Sequence, residues 1–195
     1  MPDPRAPRRG FTLIETMVAG TLFISLALMV MIWMTGLSDL WWTTTTQAEM
    51  RMNSQLAMNR LVNELRTGTR TMGGSPPNAV IPAAPGNTTV TFYLPADLDA
   101  ADGNTTIIDA IGNIEWDNAN AIQYVYDAPS RQLRRVQGAN TVILANDVQS
   151  VTFEDAVINP ALSQNEMRIT LALQRLTPQR RTLTATTIEI VKLRN

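Results

Sequence analysis

Hydrophobic and polar positions divide this chain into three regimes. From Thr16 to Ser38, twenty-three residues pass without a charge. As a helix rising about 1.5 Å per residue, that run is about 35 Å long, enough to cross a bilayer. A helical period follows. Met50, Ala57, Met58, Leu61 and Leu65 recur on one side, with Arg60, Asn63 and Glu64 largely away from it. Such a stripe packs on a sheet. The predicted helix continues to about Arg70, and a rod from residue 11 to residue 70 would be about 90 Å long, more than a soluble domain needs. Gly73-Gly74-Ser75-Pro76-Pro77 ends it.

Beyond that break the period drops to two. Val90, Phe92 and Leu94 alternate with Thr91 and Tyr93, and Ile122, Tyr124 and Tyr126 alternate likewise. Asp127-Ala128-Pro129-Ser130 is a turn leading into a strand over Gln132–Val136. Further strands are predicted at Thr141–Leu144 and Val148–Phe153, and Met167, Ile169, Leu171 and Leu173 alternate most cleanly. The last strand, Thr182–Leu193, changes its apolar face near Thr187, which predicts a bulge or an early end. Strands joined by short turns after one long helix predict an α+β fold, the helix packed on an antiparallel sheet. The expected domains are residues 1–10, 11–38, 39–72 and 73–195.

Within the helix, Gly20 and Gly36 each cost about 1 kcal/mol relative to alanine. The β-branched patch Thr43–Thr46 is a point where the rod can bend. Trp41 and Trp42 follow the span, where indoles favour a membrane–water interface or pack on a globular domain.

Composition narrows the function. The chain has 195 residues, a net charge of −1 and neither cysteine nor histidine. No basic surface argues for nucleic acid, and the usual acid–base group and metal ligand is missing. Removing residues 1–10 would take away Asp3, Arg5, Arg8 and Arg9, leaving thirteen basic and sixteen acidic side chains, a net −3. Basic residues ahead of a span stay cytoplasmic, so the chain after it is expected to be exported.

One residue breaks the apolar pattern. Glu15 sits at the head of the span, where an acid driven into hydrocarbon costs about 2.5 kcal/mol or more and calls for a partner. Alone, it also suits a solvated helix start, favoured by the helix dipole. A cleaved secretory signal fits poorly: no A-x-A-like site follows and the apolar run is long. A plain signal anchor explains the span but not Glu15.

Gly10-Phe11-Thr12-Leu13-Ile14-Glu15, after a basic leader and before about twenty apolar residues, resembles the cleavage and methylation signal of type IV pilins and type II secretion pseudopilins. The resemblance implies cutting between Gly10 and Phe11 by a membrane prepilin peptidase, and methylation of the new amino terminus at Phe11. Arg5, Arg8 and Arg9 would be the leader's basic residues. Glu15 would face the amino terminus of a neighbouring subunit as helices stagger into a filament. Many major pilins carry a proline in this helix; here none lies between Pro7 and Pro76. Tyr124-Val125-Tyr126-Asp127, Leu133-Arg134-Arg135 and the run from Leu144 to Phe153 are similar to J-type minor pseudopilins and W-type minor pilins.

Rival chemistry is thin. Asp97, Asp99 and Asp102 precede Gly103 and Asn104, the one candidate calcium loop, but the spacing departs from an EF-hand and lacks its closing glutamate. An ordinary solvated loop is the preferred reading. Glu154 and Asp155 are adjacent acids on a strand and point to opposite faces. Arg134, Arg135, Arg180 and Arg181 read as solvated strand or turn residues. The expectation is therefore a structural subunit, not an enzyme, with no cofactor and no metal. Its partners would be the prepilin peptidase, other pilin or pseudopilin subunits and the membrane. Its place would be the bacterial inner membrane, with the head exported. The alternatives are a type IV minor pilin in place of a secretion pseudopilin, and a signal-anchored periplasmic binding domain that does not polymerise.

Overall fold

The computed structural model of the chain describes residues 11–67, 79–80, 86–98, 107–108, 112, 114–117 and 119–193. Among these residues one helix, α1 (Leu13–Thr67), precedes eight strands: β1 (Ala79–Val80), β2 (Thr89–Phe92), β3 (Ile122–Asp127), β4 (Gln132–Gln137), β5 (Asn140–Ala145), β6 (Val148–Asp155), β7 (Glu166–Leu176) and β8 (Thr182–Lys192). Every pairing is antiparallel, in a five-stranded sheet ordered β1-β2-β3-β4-β5 and a three-stranded sheet ordered β6-β7-β8. The fold is α+β, as the change of period predicts, and is consistent with a pilin-like arrangement. Residues 68–78, which hold the expected helix end and the Gly73–Pro77 break, lie outside the described residues.

Two compact units divide between Thr44 and Thr45, within α1. The first is the apolar part of the helix. α1 itself is continuous past Gly20 and Gly36 and through the Thr43–Thr46 patch. Thr43 Oγ1 donates to the Leu40 carbonyl at 2.9 Å, and Thr44 Oγ1 to the same carbonyl at 2.8 Å. Hydroxyls that would otherwise compete with the helix therefore bond within it.

The second unit is the head. Met50, Ala57, Met58, Leu61 and Leu65 are all buried, as their spacing predicts, among Val90, Phe92, Ile122, Val151, Phe153, Ile169 and Leu171. Phe92 and Tyr124 stack from neighbouring strands with ring centroids 5.8 Å apart. The two sheets are stitched by backbone: Phe153 N donates to the Asn87 carbonyl at 2.8 Å, and Val148 N to the Arg131 carbonyl at 2.9 Å.

Charged groups fix the helix on both sheets. The Glu64 carboxylate accepts from Tyr124 Oη at 2.8 Å and from Arg135 Nε at 2.7 Å. Glu49 and Asp147 both hold the Arg175 guanidinium, at 3.0 Å and 2.7 Å. These contacts correct the sequence reading at two places. Arg135 is not a solvated strand residue: its side chain is 12% exposed. Glu64 belongs to the border of the packed face, because the buried Tyr124 hydroxyl needs an acceptor there.

Burial, then the Glu64 hydrogen bond and its charge, push the Tyr124 phenol far above its ordinary value near 10. The folded state thus keeps a proton that the unfolded chain releases above about pH 10, so the stability it contributes is complete below that pH and falls as pH rises. Ultraviolet titration is expected to leave the Tyr124 phenol un-ionised until the head unfolds, a signal assigned by its loss in Tyr124→Phe. Ionisation of the Tyr124 phenol near pH 10 with the fold intact would contradict this.

The last strand departs from expectation for a clear reason. β8 pairs with β7 from Thr182 to Lys192 with no register shift. The apolar face changes because Ile188 and Ile190 point outward, 58% and 54% exposed. Thr187 points inward, where its hydroxyl meets Ser54 Oγ at 2.8 Å. A hydrogen bond, rather than a bulge, accommodates the polar residue on the helix side.

Candidate functional site

Thr12 and Glu15 open α1 as a reciprocal cap. Thr12 precedes the first helical residue, and its Oγ1 accepts from Glu15 N at 3.3 Å. Glu15 Oε2 reaches back to accept from Thr12 N at 2.9 Å and from Thr12 Oγ1 at 3.0 Å. Thr16 N closes the first helical bond to the Thr12 carbonyl at 3.2 Å. Two N–H groups that a helix start leaves orphaned are satisfied in this way. The Thr12-x-x-Glu15 spacing is itself the sequence signature of that box, a signal that reading Glu15 as an isolated acid passes over.

The cap occupies one carboxylate oxygen. An ionised carboxylate has about four acceptor positions, and Oε1 carries no hydrogen bond among the described residues. Glu15 is exposed, and Phe11 just before it is 85% exposed. Gly10, Arg5, Arg8 and Arg9 lie outside the described residues.

Behind the cap, every residue from Leu13 to Ser38 is exposed. An 18-residue window of α1 reaches a mean hydropathy of 2.2, and none of it is buried in the chain. Water would reject such a surface, so the helix has the length and composition to cross a membrane. Its hydroxyls suit that setting. Thr16, Thr21, Ser25 and Thr35 each donate to the carbonyl three residues earlier, at 2.8–2.9 Å. A hydroxyl that finds its partner in its own helix leaves nothing unsatisfied in hydrocarbon. Trp41 and Trp42 are exposed at 68% and 46%, the condition an interfacial indole requires.

The other sequence candidates belong to the head. Among the described residues no group of three His, Cys, Asp or Glu could hold a metal ion. Asp97 has one buried oxygen without a hydrogen bond; Asp99 and Asp102 lie outside the described residues. Glu154 accepts from Arg168 Nε at 2.8 Å, while Asp155 Oδ1 accepts from the N–H groups of Val157 and Ile158 at 3.0 and 3.1 Å. Each acid serves its own strand end. Arg134 is bound to Asp127 at 2.8 Å across the β3–β4 hairpin, and Arg180 stands in an exposed turn with φ 60°.

A scan of protein-family models, a search of curated proteins and a search of solved structures return no match to this chain.

Proposed function

We propose that this chain is a minor pilin or pseudopilin, a structural subunit made as a prepilin, cut between Gly10 and Phe11 and methylated on Phe11. The observation that carries the reading is the Thr12–Glu15 cap at the head of an apolar stretch exposed from Leu13 to Ser38, with a carboxylate oxygen that has no hydrogen bond among the described residues and an exposed Phe11 just before it. Such an oxygen suits the ammonium of a neighbouring subunit, and the helix surface suits packing against others of its kind in a membrane. Arg5, Arg8 and Arg9 ahead of the helix favour a cytoplasmic start and an exported head. In this reading the subunit is held in a bacterial inner membrane and joins a type II secretion pseudopilus or the tip of one. The same element serves a type IV minor pilin equally well.

A second reading has an observation in its favour. The cap gives Glu15 partners within its own chain, as a plain signal anchor would need if the head never polymerised. Mass spectrometry of the mature chain, expressed beside a prepilin peptidase, separates the two. N-methylated Phe11 is the expected amino terminus. A chain that still starts at Met1 or Pro2 would sink the pilin reading and leave the anchor.

A further inference from the structure

We propose that the open edge of β8, where α1 passes beside it, is a docking groove for a short, extended, acidic peptide strand from a partner protein. β8 ends the order β6-β7-β8, and all eleven of its residues are paired on the β7 side. Among the described residues no strand pairs with its other edge. Unpaired N–H and C=O groups along such an edge are a template for one more strand.

A groove of about 490 Å³ lies there, bounded by Arg51, Ser54 and Gln55 of α1 and by the run Thr184 to Ile188 of β8. Strand side chains alternate between faces, so five consecutive residues border one cavity only along the strand's backbone edge. Five residues measure about 17 Å, room for a short strand but not for a second sheet. The Ser54–Thr187 hydroxyl pair, at 2.8 Å, fixes the floor. Arg51 and Gln55 are exposed on the helix wall.

The chemistry of the groove selects its occupant. Arg51 is the one charged side chain among its lining residues and has no ion pair among the described residues. Its guanidinium favours a carboxylate on the incoming strand. Ile188, and Ile190 two residues further along the same face, offer an apolar contact to alternate side chains. Backbone pairing would supply affinity, and Arg51 with Ile188 would supply the preference. The proposal stands independently of the filament reading, because it rests on the head alone.

Two labelled octapeptides test it against the full-length chain in detergent micelles: one of alternating valine and glutamate, one of alternating valine and lysine. Fluorescence anisotropy is expected to show the glutamate peptide binding about tenfold more tightly, and Arg51→Glu to reverse that order. Hydrogen exchange is expected to slow at the alternate amides between Thr184 and Ile188 that face away from β7 when the glutamate peptide binds. Absence of binding by either peptide, equal binding of both, or an unchanged preference in Arg51→Glu would overturn the proposal. So would binding that leaves those amides unprotected. If the same amides become protected without peptide as protein concentration rises, the groove serves a second copy of this chain and the proposal also fails.

Discussion

Glu64→Ala is expected to lower the unfolding free energy of the head by about 3 kcal/mol, read from urea denaturation of the full chain in detergent followed by circular dichroism. The carboxylate accepts from Tyr124 and Arg135 at once, 2.8 and 2.7 Å away. Removing it leaves a buried hydroxyl without an acceptor and a largely buried guanidinium without its counter-charge. Burying either group unpaired is what makes the loss larger than one hydrogen bond. Glu64→Gln keeps an acceptor oxygen and is expected to cost about 1 kcal/mol, close to Tyr124→Phe, which removes only the hydroxyl. Equal losses for alanine and glutamine would mean that the Arg135 charge, and not the acceptor, carries the effect. No loss for alanine would show that the Glu64 contacts add nothing to what the apolar stripe and the Glu49 and Ser54 contacts already supply.

If the chain is a pilin or pseudopilin as proposed, Glu15→Ala is expected to abolish filament assembly while the head stays folded. The comparison that gives this meaning is Thr12→Val, which removes the hydroxyl half of the cap but keeps the carboxylate. Losing that half costs a helix start about 1 kcal/mol. If Glu15 acts through an ammonium on a neighbouring subunit, Thr12→Val assembles and Glu15→Ala does not, since breaking a charge pair in an apolar bundle costs about 3–5 kcal/mol. Electron microscopy of sheared filaments reads both variants. Assembly by Glu15→Ala would remove the intersubunit role. Equal failure of the two would reduce the carboxylate to a cap.

The sequence made the helix and strands legible because each is written in a local period. Met50 to Leu65 falls on a helical stripe, and Met167 to Leu173 alternates, whatever the remainder of the chain does. The Glu64–Tyr124–Arg135 contact could not be read that way. Its members are sixty and seventy-one positions apart, and only the register of β3 against β4, which sets Tyr124 opposite Arg135, brings them under one carboxylate. β8 was misleading for a related reason. Its period of two is intact, but Thr187 takes an inward place because Ser54 waits across from it, a fact of helix placement and not of strand pattern. At the amino terminus the anomaly of Glu15 was plain from its neighbours. Its intrachain partner was equally available from a three-residue spacing, and neither reading excludes the other once the carboxylate's two oxygens are counted separately.

β8 carries a further consequence, for how the chain reaches its native state. Leu183, Ala185 and Val191 lie on the helix side of β8, Ala185 and Val191 being buried, while Ile188 and Ile190 lie outside. A slip of one residue would exchange the two sets, trading three apolar side chains, one of them a small alanine, for two isoleucines. Hydrophobicity therefore discriminates weakly between the two alignments, and the Ser54–Thr187 hydroxyl pair helps decide. The final strand is thus a place where the energy landscape is locally frustrated. The shifted alignment would set Ile188 and Ile190 against the helix and would lose the Ser54–Thr187 hydrogen bond.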